Sequence, residues 1–431
     1  MVFGSRDSTI GWLAVLALAG ACGKVEVPAD QDAAPGAVDA APGGRAAEDL
    51  IDDQAAEFAG GTFLGTRVVG DGVELDEGER SGDFVSRIHD STVDGASWAI
   101  LGWTPGAPYG KPLPDGGQSE AGYPAGTADM ADNVLLLHFD QDLTDSSAIG
   151  SPVDSVGPAA FVAGRFGDAL DDRPDGYVRT AVAGPDSVFN FGTSSFSWSL
   201  WARSTAACPG NAVYMGIENP DTGLRPHLWF GCTPIEGGPE GTLGNTFCST
   251  RDELGDCVRA EGAALLTDGG WHHMAIVKAG HDAATVTAYL DGVAAAEIET
   301  SFLNPIVFDT GVELAIGAFS AGTFPAEGAF DEAAAWRRAL DAEEVRALYG
   351  RGIQRLSLQV RACDEPTCNG VEFVGPGADP ASAFEDPAGA LTPPDRLPLD
   401  LVGRYLQYRI RLETDDPALS PSIHRVTIAT R

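Results

Sequence analysis

Basic residues are scarce in this 431-residue chain, where 27 Lys and Arg stand against 63 Asp and Glu and give a formal net charge of −36. Because such a surface repels phosphates, the composition argues against a nucleic-acid partner and against charge-driven binding to anionic membranes. Aromatic residues are also few, at 8%, whereas Gly and Pro number 54 and 28. This balance is typical of short strands joined by many turns.

Motifs for nucleophilic catalysis are also missing. The sequence contains no G-x-S-x-G and no glycine-rich phosphate loop, and its cysteines form no C-x₂-C pair of the kind that holds zinc. The spacing of Glu74, Asp76 and Glu79 matches the E-x-D-x-x-E strand of jelly-roll glycosidases. That strand needs apolar residues between its acids, but Glu77 and Gly78 stand there, so we interpret the stretch as an acidic turn. We predict no catalytic residues.

The first 22 residues suggest export. An apolar run from 10 to 19 leads through Ala19, Gly20 and Ala21 to Cys22, which resembles a bacterial lipoprotein signal whose cysteine is acylated and becomes the new N-terminus. The position three before the cysteine, usually Leu in that family, is Ala19. An ordinary cleaved secretory peptide is the alternative. The resemblance implies lipidation at Cys22 and anchoring to the cell envelope. Residues 22–58 would then form a largely disordered tether rich in Ala, Asp, Pro and Gly.

Six cysteines remain after Cys22, and an even number favours disulfides in an oxidising compartment. Short loops bring their ends together often, so local pairing is the default. It joins the cysteines as Cys208 with Cys232, Cys248 with Cys257, and Cys363 with Cys368. The first four cysteines nevertheless permit three connectivities.

A β-hairpin pattern organises the centre of the chain. From Trp271 to Ala279 apolar side chains alternate with a period of two, and so do those that end at Leu290. Asp291-Gly292 is a strong signal for a tight turn, after which residues 293–298 form the return strand. Further on, Asp341 and Glu344 form a capping-box pattern, and we expect a short helix that ends at Gly350.

These stretches resemble the laminin-G-like, concanavalin-A-like jelly-roll family. The resemblance is carried by W-H-H and Y-L-D-G around the hairpin and by F-D-E-A-A-A-W-R-R-A-L-D-A-E-E-V-R-A-L-Y-G at 330–350. V-L-L-L-H-F-D at 134–140 and G-R-F-G-D-A-L at 164–170 are similar to the opening strands of the family. It implies an all-β jelly roll over residues 130–352. Such domains host lectins, hydrolases, adhesins and scaffolds, so the fold alone does not fix the function.

Two flanking segments are similar to halves of one module. S-G-D-F-V-S-R-I-H-D and W-A-I-L-G-W before the jelly roll, with L-Q-V-R-A-C and G-R-Y-L-Q-Y-R-I-R-L after it, resemble a run of bacterial secreted β-sandwiches. We therefore expect residues 59–112 and 353–431 to form a discontinuous β-sandwich, joined to the inserted jelly roll by a linker at 113–129. Residues 1–21 would be the signal peptide. Three separate small domains are the alternative.

Calcium is the ion that the sequence favours. Asp140, Asp142 and Asp145 cluster after the opening strand, and Asp331 begins the closing strand. If these strands are neighbours, the carboxylates supply the oxygen ligands that a hard cation prefers, and related jelly rolls often carry such a site. Solvated acids on a very acidic protein are the alternative. His272 and His273 would face opposite sides of one strand, so we interpret them as structural residues.

The resulting hypothesis is a non-catalytic, lipid-anchored protein of the cell exterior that recognises a glycan or a protein through its laminin-G-like module. Trp229, Phe319 and Phe324 are candidates for stacking on sugar rings, although a core position is the favoured interpretation of each. The alternatives are a glycan-degrading enzyme or its accessory subunit, marked by paired carboxylates in a cleft, and a purely structural envelope protein.

Overall fold

The computed structural model describes residues 49–172, 176–182, 184–205, 208, 210–218, 226–233, 241–249, 257–259 and 266–430. The predicted signal peptide, Cys22 and most of the predicted tether lie outside these residues. Within them, no helix is long and apolar enough to cross a membrane.

The elements before the inserted domain are short. They are β1 (Leu50–Asp52), α1 (Ala55–Phe58), β2 (Thr62–Leu64), β3 (Thr66–Val69), β4 (Gly72–Leu75), β5 (Ser81–Val85), β6 (His89–Asp90) and β7 (Ser97–Pro105).

The central part is almost entirely strand. Its elements are β8 (Asn133–Leu137), β9 (Val153–Val156), β10 (Phe161–Ala163), β11 (Asp168–Asp172), β12 (Tyr177–Ala181), β13 (Phe196–Arg203), β14 (Ala212–Glu218), β15 (His227–Thr233), β16 (Thr242–Cys248), β17 (Cys257–Val258), β18 (Trp271–Ala279), β19 (Ala284–Leu290), β20 (Val293–Thr300), β21 (Glu313–Ile316), β22 (Gly328–Trp336) and α2 (Ala342–Ile353). A single 3-10 turn lies at Ser320–Gly322.

The C-terminal part returns to β structure. Its elements are β23 (Gln354–Cys363), β24 (Phe384–Glu385), β25 (Leu397–Val402), β26 (Tyr405–Thr414) and β27 (Ser422–Thr430), with a 3-10 turn at Pro376–Ala378.

Strands from the N-terminal and C-terminal parts of the chain share two sheets. Sheet S1 has the order β25-β7-β27-β4-β3, with β1 also on β27, and sheet S2 has the order β2-β5-β26-β23-β24, with β6 also on β26. One apolar core lies between them and includes Phe84, Trp98, Trp103, Tyr408 and Ile428. Side chains from both ends therefore bury each other's apolar surface, which is the main stabilising contribution to such a core.

The sandwich begins earlier than the sequence pattern indicates. Residues 50–58 fall in the predicted tether, yet β1 pairs with β27, and Phe58 is fully buried. Asp52 is also buried, and its carboxylate accepts hydrogen bonds from Tyr408 Oη at 2.6 Å and from Arg87 Nη2 at 2.9 Å. A three-residue strand with an acid at its end is too short to show a period of two. Its pairing with β27, and not a local sequence pattern, therefore makes it a strand.

The inserted domain is a jelly roll of two sheets. Sheet J1 runs β10-β11-β22-β13-β18-β19-β20, with β8 also on β22, and sheet J2 runs β17-β16-β15-β14-β21-β12-β9. The core between them includes Trp198, Phe230, Phe247, Ile276 and Phe330. The predicted fold class is thus confirmed: the chain is a mainly β protein that contains a jelly roll.

The hairpin at the centre of J1 follows its sequence signals. Strands β18, β19 and β20 pair in order, and Asp291 and Gly292 have φ values of +50° and +73°, which a two-residue turn between twisted strands requires. Met274 and Ile276 face the jelly-roll core, whereas Ala275 and Val277 face outward. Both faces of the strand are buried because α2 covers the outer one.

Helix α2 has the predicted start but a later end. Asp341 accepts a hydrogen bond from the Glu344 amide at 2.8 Å, and Glu344 reaches back to the Asp341 amide at 2.8 Å. Gly350 was expected to end the helix but lies inside it, since α2 continues to Ile353. Ile353 packs with Phe166 and Trp201, so tertiary burial outweighs the weak helix propensity of glycine.

The three disulfides agree with the local pairing that the sequence favours. Cys208 bonds to Cys232, Cys248 to Cys257, and Cys363 to Cys368. The last of these closes the loop that follows β23. The first two lie in J2, where they join neighbouring parts of the sheet around β15, β16 and β17.

Candidate functional site

Sheet J2 turns one face to the jelly-roll core and the other away from it. Val178, Leu314, Ile217, Leu228 and Phe230 belong to the core cluster. Because successive side chains of a strand point to opposite faces, their neighbours in sequence lie on the outward face. We call this surface the J2 outer face.

Strand register aligns one residue from each of six strands on that face. The pairs are Asp154 with Arg179, Arg179 with Ala315, Ala315 with Gly216, Gly216 with Trp229, and Trp229 with Thr246. The row thus has a charged end on β9 and β12, two small residues at its centre, and an aromatic residue on β15. Residues 13 to 136 positions apart in the sequence become direct cross-strand neighbours.

At the aromatic end, Trp229 packs with Val213 and Phe319. A Cβ atom at Gly216 would lie 2.6 Å from the Phe319 ring, so only glycine leaves room for this ring. The ring of His227 stands edge-on to Phe319, with centroids 4.8 Å apart. Trp229 is 6% exposed and Phe319 is 1% exposed. These two side chains therefore pack beneath the J2 outer face and contribute little of its exposed area.

Hydrogen bonds fix the polar groups beside these aromatic rings. His227 Nδ1 lies 2.9 Å from Glu218 Oε2, directly across the β14–β15 pair. Ser320 Oγ accepts from the Glu218 amide at 2.9 Å and donates to the Glu313 carbonyl at 2.8 Å. Ser320 therefore holds the turn that carries Phe319 against the sheet.

At the charged end, Arg179 Nε donates to Asp154 Oδ1 at 2.7 Å, and Arg179 Nη1 bonds to the Glu313 carboxylate. Tyr177 Oη donates to Glu313 Oε2 at 3.0 Å. The hydrogen bond from Arg179 lowers the pKa of Asp154, so this carboxylate is charged over the neutral range. Arg179 and Asp154 remain 34% and 65% exposed, so this cluster offers solvent both donors and acceptors.

Chemically, this arrangement suits recognition of a polyhydroxylated ligand. Guanidinium and carboxylate groups that hold one another in place can exchange part of their hydration for ligand hydroxyls without large rearrangement. No local sequence pattern predicts the cluster of Arg179, Asp154, Glu313 and Tyr177, because its members come from three strands that are far apart in the sequence. The alternation around Arg179 was the only available signal.

The other predicted aromatic residues are divided by the fold. Trp229 and Phe319 meet on the J2 outer face, whereas Phe324 is 50% exposed on the loop that leads to β22.

The four predicted calcium ligands serve as hydrogen-bond acceptors of turns. Asp145 is buried and accepts from the backbone amides of Leu136, Ser147 and Ser151 at 2.7–3.0 Å. Asp331 Oδ2 accepts from two backbone amides at 2.6 and 2.9 Å. Asp140 and Asp142 each accept one backbone amide and are exposed.

Asp140 lies near enough to Asp331 for its charge to help raise the pKa of Asp331. Among the described residues, no group of three or more His, Cys, Asp or Glu side chains is placed to hold a metal ion. The calcium site stays a prediction.

The acidic stretch after β4 is a turn. Strand β4 ends at Leu75, and the amide of Glu79 donates to the Asp76 carbonyl at 3.1 Å. Asp76 and Glu79 are exposed, whereas Glu74 is half-buried.

His272 and His273 point to opposite faces of β18. His272 Nδ1 lies 2.8 Å from Asp291 Oδ2. His273 is buried, with Nε2 2.8 Å from Ser199 Oγ.

Comparison with known proteins bears on the jelly roll. Residues 172–346 match the family Laminin_G_3, described as the concanavalin A-like lectin/glucanases superfamily. No curated protein sequence matches the chain.

Among solved structures, the chain is similar to domain 4 of AbnA, a GH43 extracellular arabinanase from Geobacillus stearothermophilus in complex with arabinotriose. The identity is 18%, the TM-score is 0.39, and the match covers 51% of this chain and 98% of that one. The binding domain of botulinum neurotoxin DC, solved in complex with SialylT, shares 14% identity at a TM-score of 0.39, with 58% and 63% covered. The segment of the chain at residues 172–346 is thus a laminin-G-like domain of the concanavalin A-like lectin/glucanase superfamily.

Proposed function

We propose that this chain is a non-catalytic recognition protein of the cell envelope, and that its laminin-G-like domain binds glycan through the J2 outer face. The observation that carries this proposal is the cross-strand row from Asp154 to Thr246. Its charged end is partly exposed, with Arg179 at 34%, Asp154 at 65% and Glu313 at 21%, whereas Ala315, Trp229 and Thr246 are buried. The charged end therefore supplies the groups that can form hydrogen bonds with hydroxyls.

The charge balance supports a neutral or weakly charged ligand at this face. Arg179 already shares its charge with Asp154 and Glu313, and the chain as a whole carries −36. The net negative charge therefore gives strong polyanions such as nucleic acids no long-range attraction to the domain. A lipid anchor at Cys22 would hold the module on the membrane and leave this face free for an exterior partner.

The test is a screen of the full chain against an array of neutral and acidic glycans, followed by titration calorimetry on any binder. Arg179→Ala should weaken binding at least about tenfold, because it removes a charged donor and leaves Asp154 and Glu313 without their partner. Arg425→Ala is the matched control, since it removes an exposed arginine from β27 of the sandwich. Equal affinity in wild type and Arg179→Ala would reject this face as the site.

A glycan-degrading role is the second candidate, because the superfamily description includes glucanases. Incubation with each bound glycan and assay of new reducing ends distinguishes the two. Sustained release of reducing ends would show that the chain degrades the glycan, and the proposal of a non-catalytic role would then be wrong.

A further inference from the structure

A second polar surface lies on the outward side of sheet S2. Leu358 and Val360 of β23 and Tyr408 and Ile410 of β26 face the sandwich core. By alternation, the residues between them point outward. These outward residues are Gln359 and Arg361 on β23 and Gln407 and Arg409 on β26, and they oppose each other as Gln359 with Arg409 and Arg361 with Gln407.

Each arginine is held by the glutamine opposite it. Arg361 Nε donates to Gln407 Oε1 at 3.0 Å, and Arg409 Nη2 bonds to Gln359 Oε1. The glutamines are themselves fixed through their amide nitrogens: Gln407 Nε2 donates to the Ser86 carbonyl at 2.6 Å, and Gln359 Nε2 to the Ser382 carbonyl at 2.6 Å. A neutral amide oxygen orients a guanidinium without cancelling its charge.

One aromatic ring brings the two cations together. Phe373 lies under both guanidinium groups, with its centroid 4.4 Å from Arg361 Cζ and 5.3 Å from Arg409 Cζ. Cation–π contacts of this kind favour a charged side chain in a fixed orientation. Among the described residues, neither arginine has a carboxylate oxygen within 4.0 Å. Two like charges therefore lie close together without a counter-ion from the chain.

This absence of carboxylates is unusual in its setting. Acids outnumber basic residues by 63 to 27 in the chain, and the neighbouring Arg411 does pair with Glu413 at 3.1 Å. Burial lowers the pKa of Arg361, as expected for a guanidinium that no carboxylate compensates. A bound anion would favour the charged form of Arg361 and so offset the cost of its burial.

A groove beside Arg409 gives access to this member of the pair. The groove has a volume of about 160 Å³ and is lined by Ser357, Gln359, Arg409, Arg411 and the segment 381–383. Ser382 and Ser357 add hydroxyl groups to its wall. It is concave and open to solvent next to the guanidinium of Arg409, so an oxyanion on a larger hydrophilic molecule can reach a charged donor there.

We propose that Arg361 and Arg409 form a binding site for the carboxylate or sulfate groups of an acidic polysaccharide. The site lies on the sandwich and does not depend on the J2 outer face. Arginine binds both oxyanions through paired N–H donors. The net charge of −36 suppresses non-specific attraction of polyanions, so binding here depends on local geometry.

The test measures binding of the full chain to polygalacturonate, dextran sulfate and neutral dextran, with sodium sulfate as the free anion. Wild type should bind one or both acidic polymers and not neutral dextran, and the affinity should fall as salt rises. Arg409→Gln and Arg361→Gln should each weaken this binding at least about tenfold, whereas Arg425→Gln removes the same charge from sheet S1 and should leave it unchanged. Arg179→Ala should also have no effect, which separates this site from the proposed glycan-binding face.

Several outcomes would overturn the proposal. Failure to bind either acidic polymer would reject it, as would equal losses in Arg409→Gln and Arg425→Gln. If sodium sulfate at millimolar concentration binds as tightly as the polymers, the site takes a free anion and not a polysaccharide. Should the arginine variants melt at much lower temperature, Phe373→Leu provides the second test, since it removes the ring that orients both cations while keeping their charge.

Discussion

The guanidinium of Arg351 and the carboxylate of Glu120 form a bidentate ion pair, with Nη1–Oε2 at 2.9 Å and Nη2–Oε1 at 2.5 Å. Both side chains are at most 5% exposed. Arg351 also donates from Nε to the Lys111 carbonyl at 2.6 Å. The pair therefore ties α2, the last element of the jelly roll, to the segment that leads into its first strand.

Loss of this pair should destabilise the protein strongly. Glu120→Ala leaves the Arg351 charge buried without its partner, and we expect the free energy of unfolding to fall by about 3–5 kcal/mol. Urea denaturation followed by tryptophan fluorescence measures it. Asp94→Ala removes a highly exposed partner of Arg404 and should change the free energy little. Similar losses in the two variants would mean that the buried pair has no special role.

The two adjacent histidines of β18 should give opposite dependences on pH. The hydrogen bond that His272 donates to Asp291 raises the pKa of His272. Its contribution to stability is therefore complete below the ordinary value of about 6.5 and is lost as pH rises through the higher folded value. Burial lowers the pKa of His273 to about 4. Its neutral form stabilises the fold above pH of about 6.5, and this contribution is lost as pH falls towards 4.

Thermal melts between pH 4 and 9 distinguish the two residues. In His273→Gln the loss of stability on the acid side should be smaller than in wild type, and in His272→Gln the loss on the basic side should be smaller. If both variants follow the wild-type curve with a constant offset, neither histidine titrates with folding.

Sequence reasoning succeeded where local signals and burial agree. The hairpin from Trp271 to Thr300 has a period of two, a turn dipeptide and a buried face, and all three indicate the same strands. The disulfide pairs followed from short loop lengths. It failed at Gly350 and at Leu50, where distant partners decide: Ile353 fits a pocket around Trp201, and Leu50 lies opposite Ile428.

The candidate sites were much less accessible to sequence reasoning. Arg179 and Glu313 are 134 residues apart, and Arg361 and Arg409 are 48 apart, so only strand register brings each pair together. Acidic clusters are easy to see in a chain with 63 acids, whereas no local pattern marks Arg409 as a neighbour of Arg361.

Residues 49–112 and 353–431 should fold together without the jelly roll, because β1 and Phe58 belong to the sandwich. The Gly110 amide donates to the Arg351 carbonyl at 2.8 Å, so a short Gly/Ser linker can replace residues 113–352. We expect a soluble protein that unfolds in one cooperative transition, measured by circular dichroism in urea. A complete two-state transition in fragment 353–431 alone would contradict the discontinuous sandwich.

Cys22 should carry lipid in the mature protein. The small residues before it resemble a lipoprotein signal, and the six other cysteines are paired. Intact-mass analysis of protein from a bacterial host with lipoprotein processing should give a chain that begins at Cys22 with acyl groups, recovered in the membrane fraction. Cys22→Ser should release it. A soluble wild-type chain with an unmodified thiol at residue 22 would exclude the anchor.

The calcium hypothesis predicts that the ion links the opening and closing strands of the jelly roll. Burial and the charge of Glu332 raise the pKa of Asp331 to about 8, and a bound cation would reverse this shift by favouring the carboxylate. Binding to the folded state alone would stabilise it by about 2.7 kcal/mol at a hundredfold excess over Kd. The melting temperature should therefore rise with millimolar calcium and less with magnesium.

Asp331→Asn is the matched variant for this test, because an amide oxygen can still accept from the amides of Arg165 and Phe166 while the charge is gone. The calcium-dependent rise should disappear in this variant, and its melting temperature in chelator should stay near or above that of wild type, since the repulsion from Glu332 is relieved. A melting temperature of the wild type that stays constant from chelator to millimolar calcium would contradict the site. The hydrogen bonds of Asp145 and Asp331 to backbone amides would then be the whole reason for their burial.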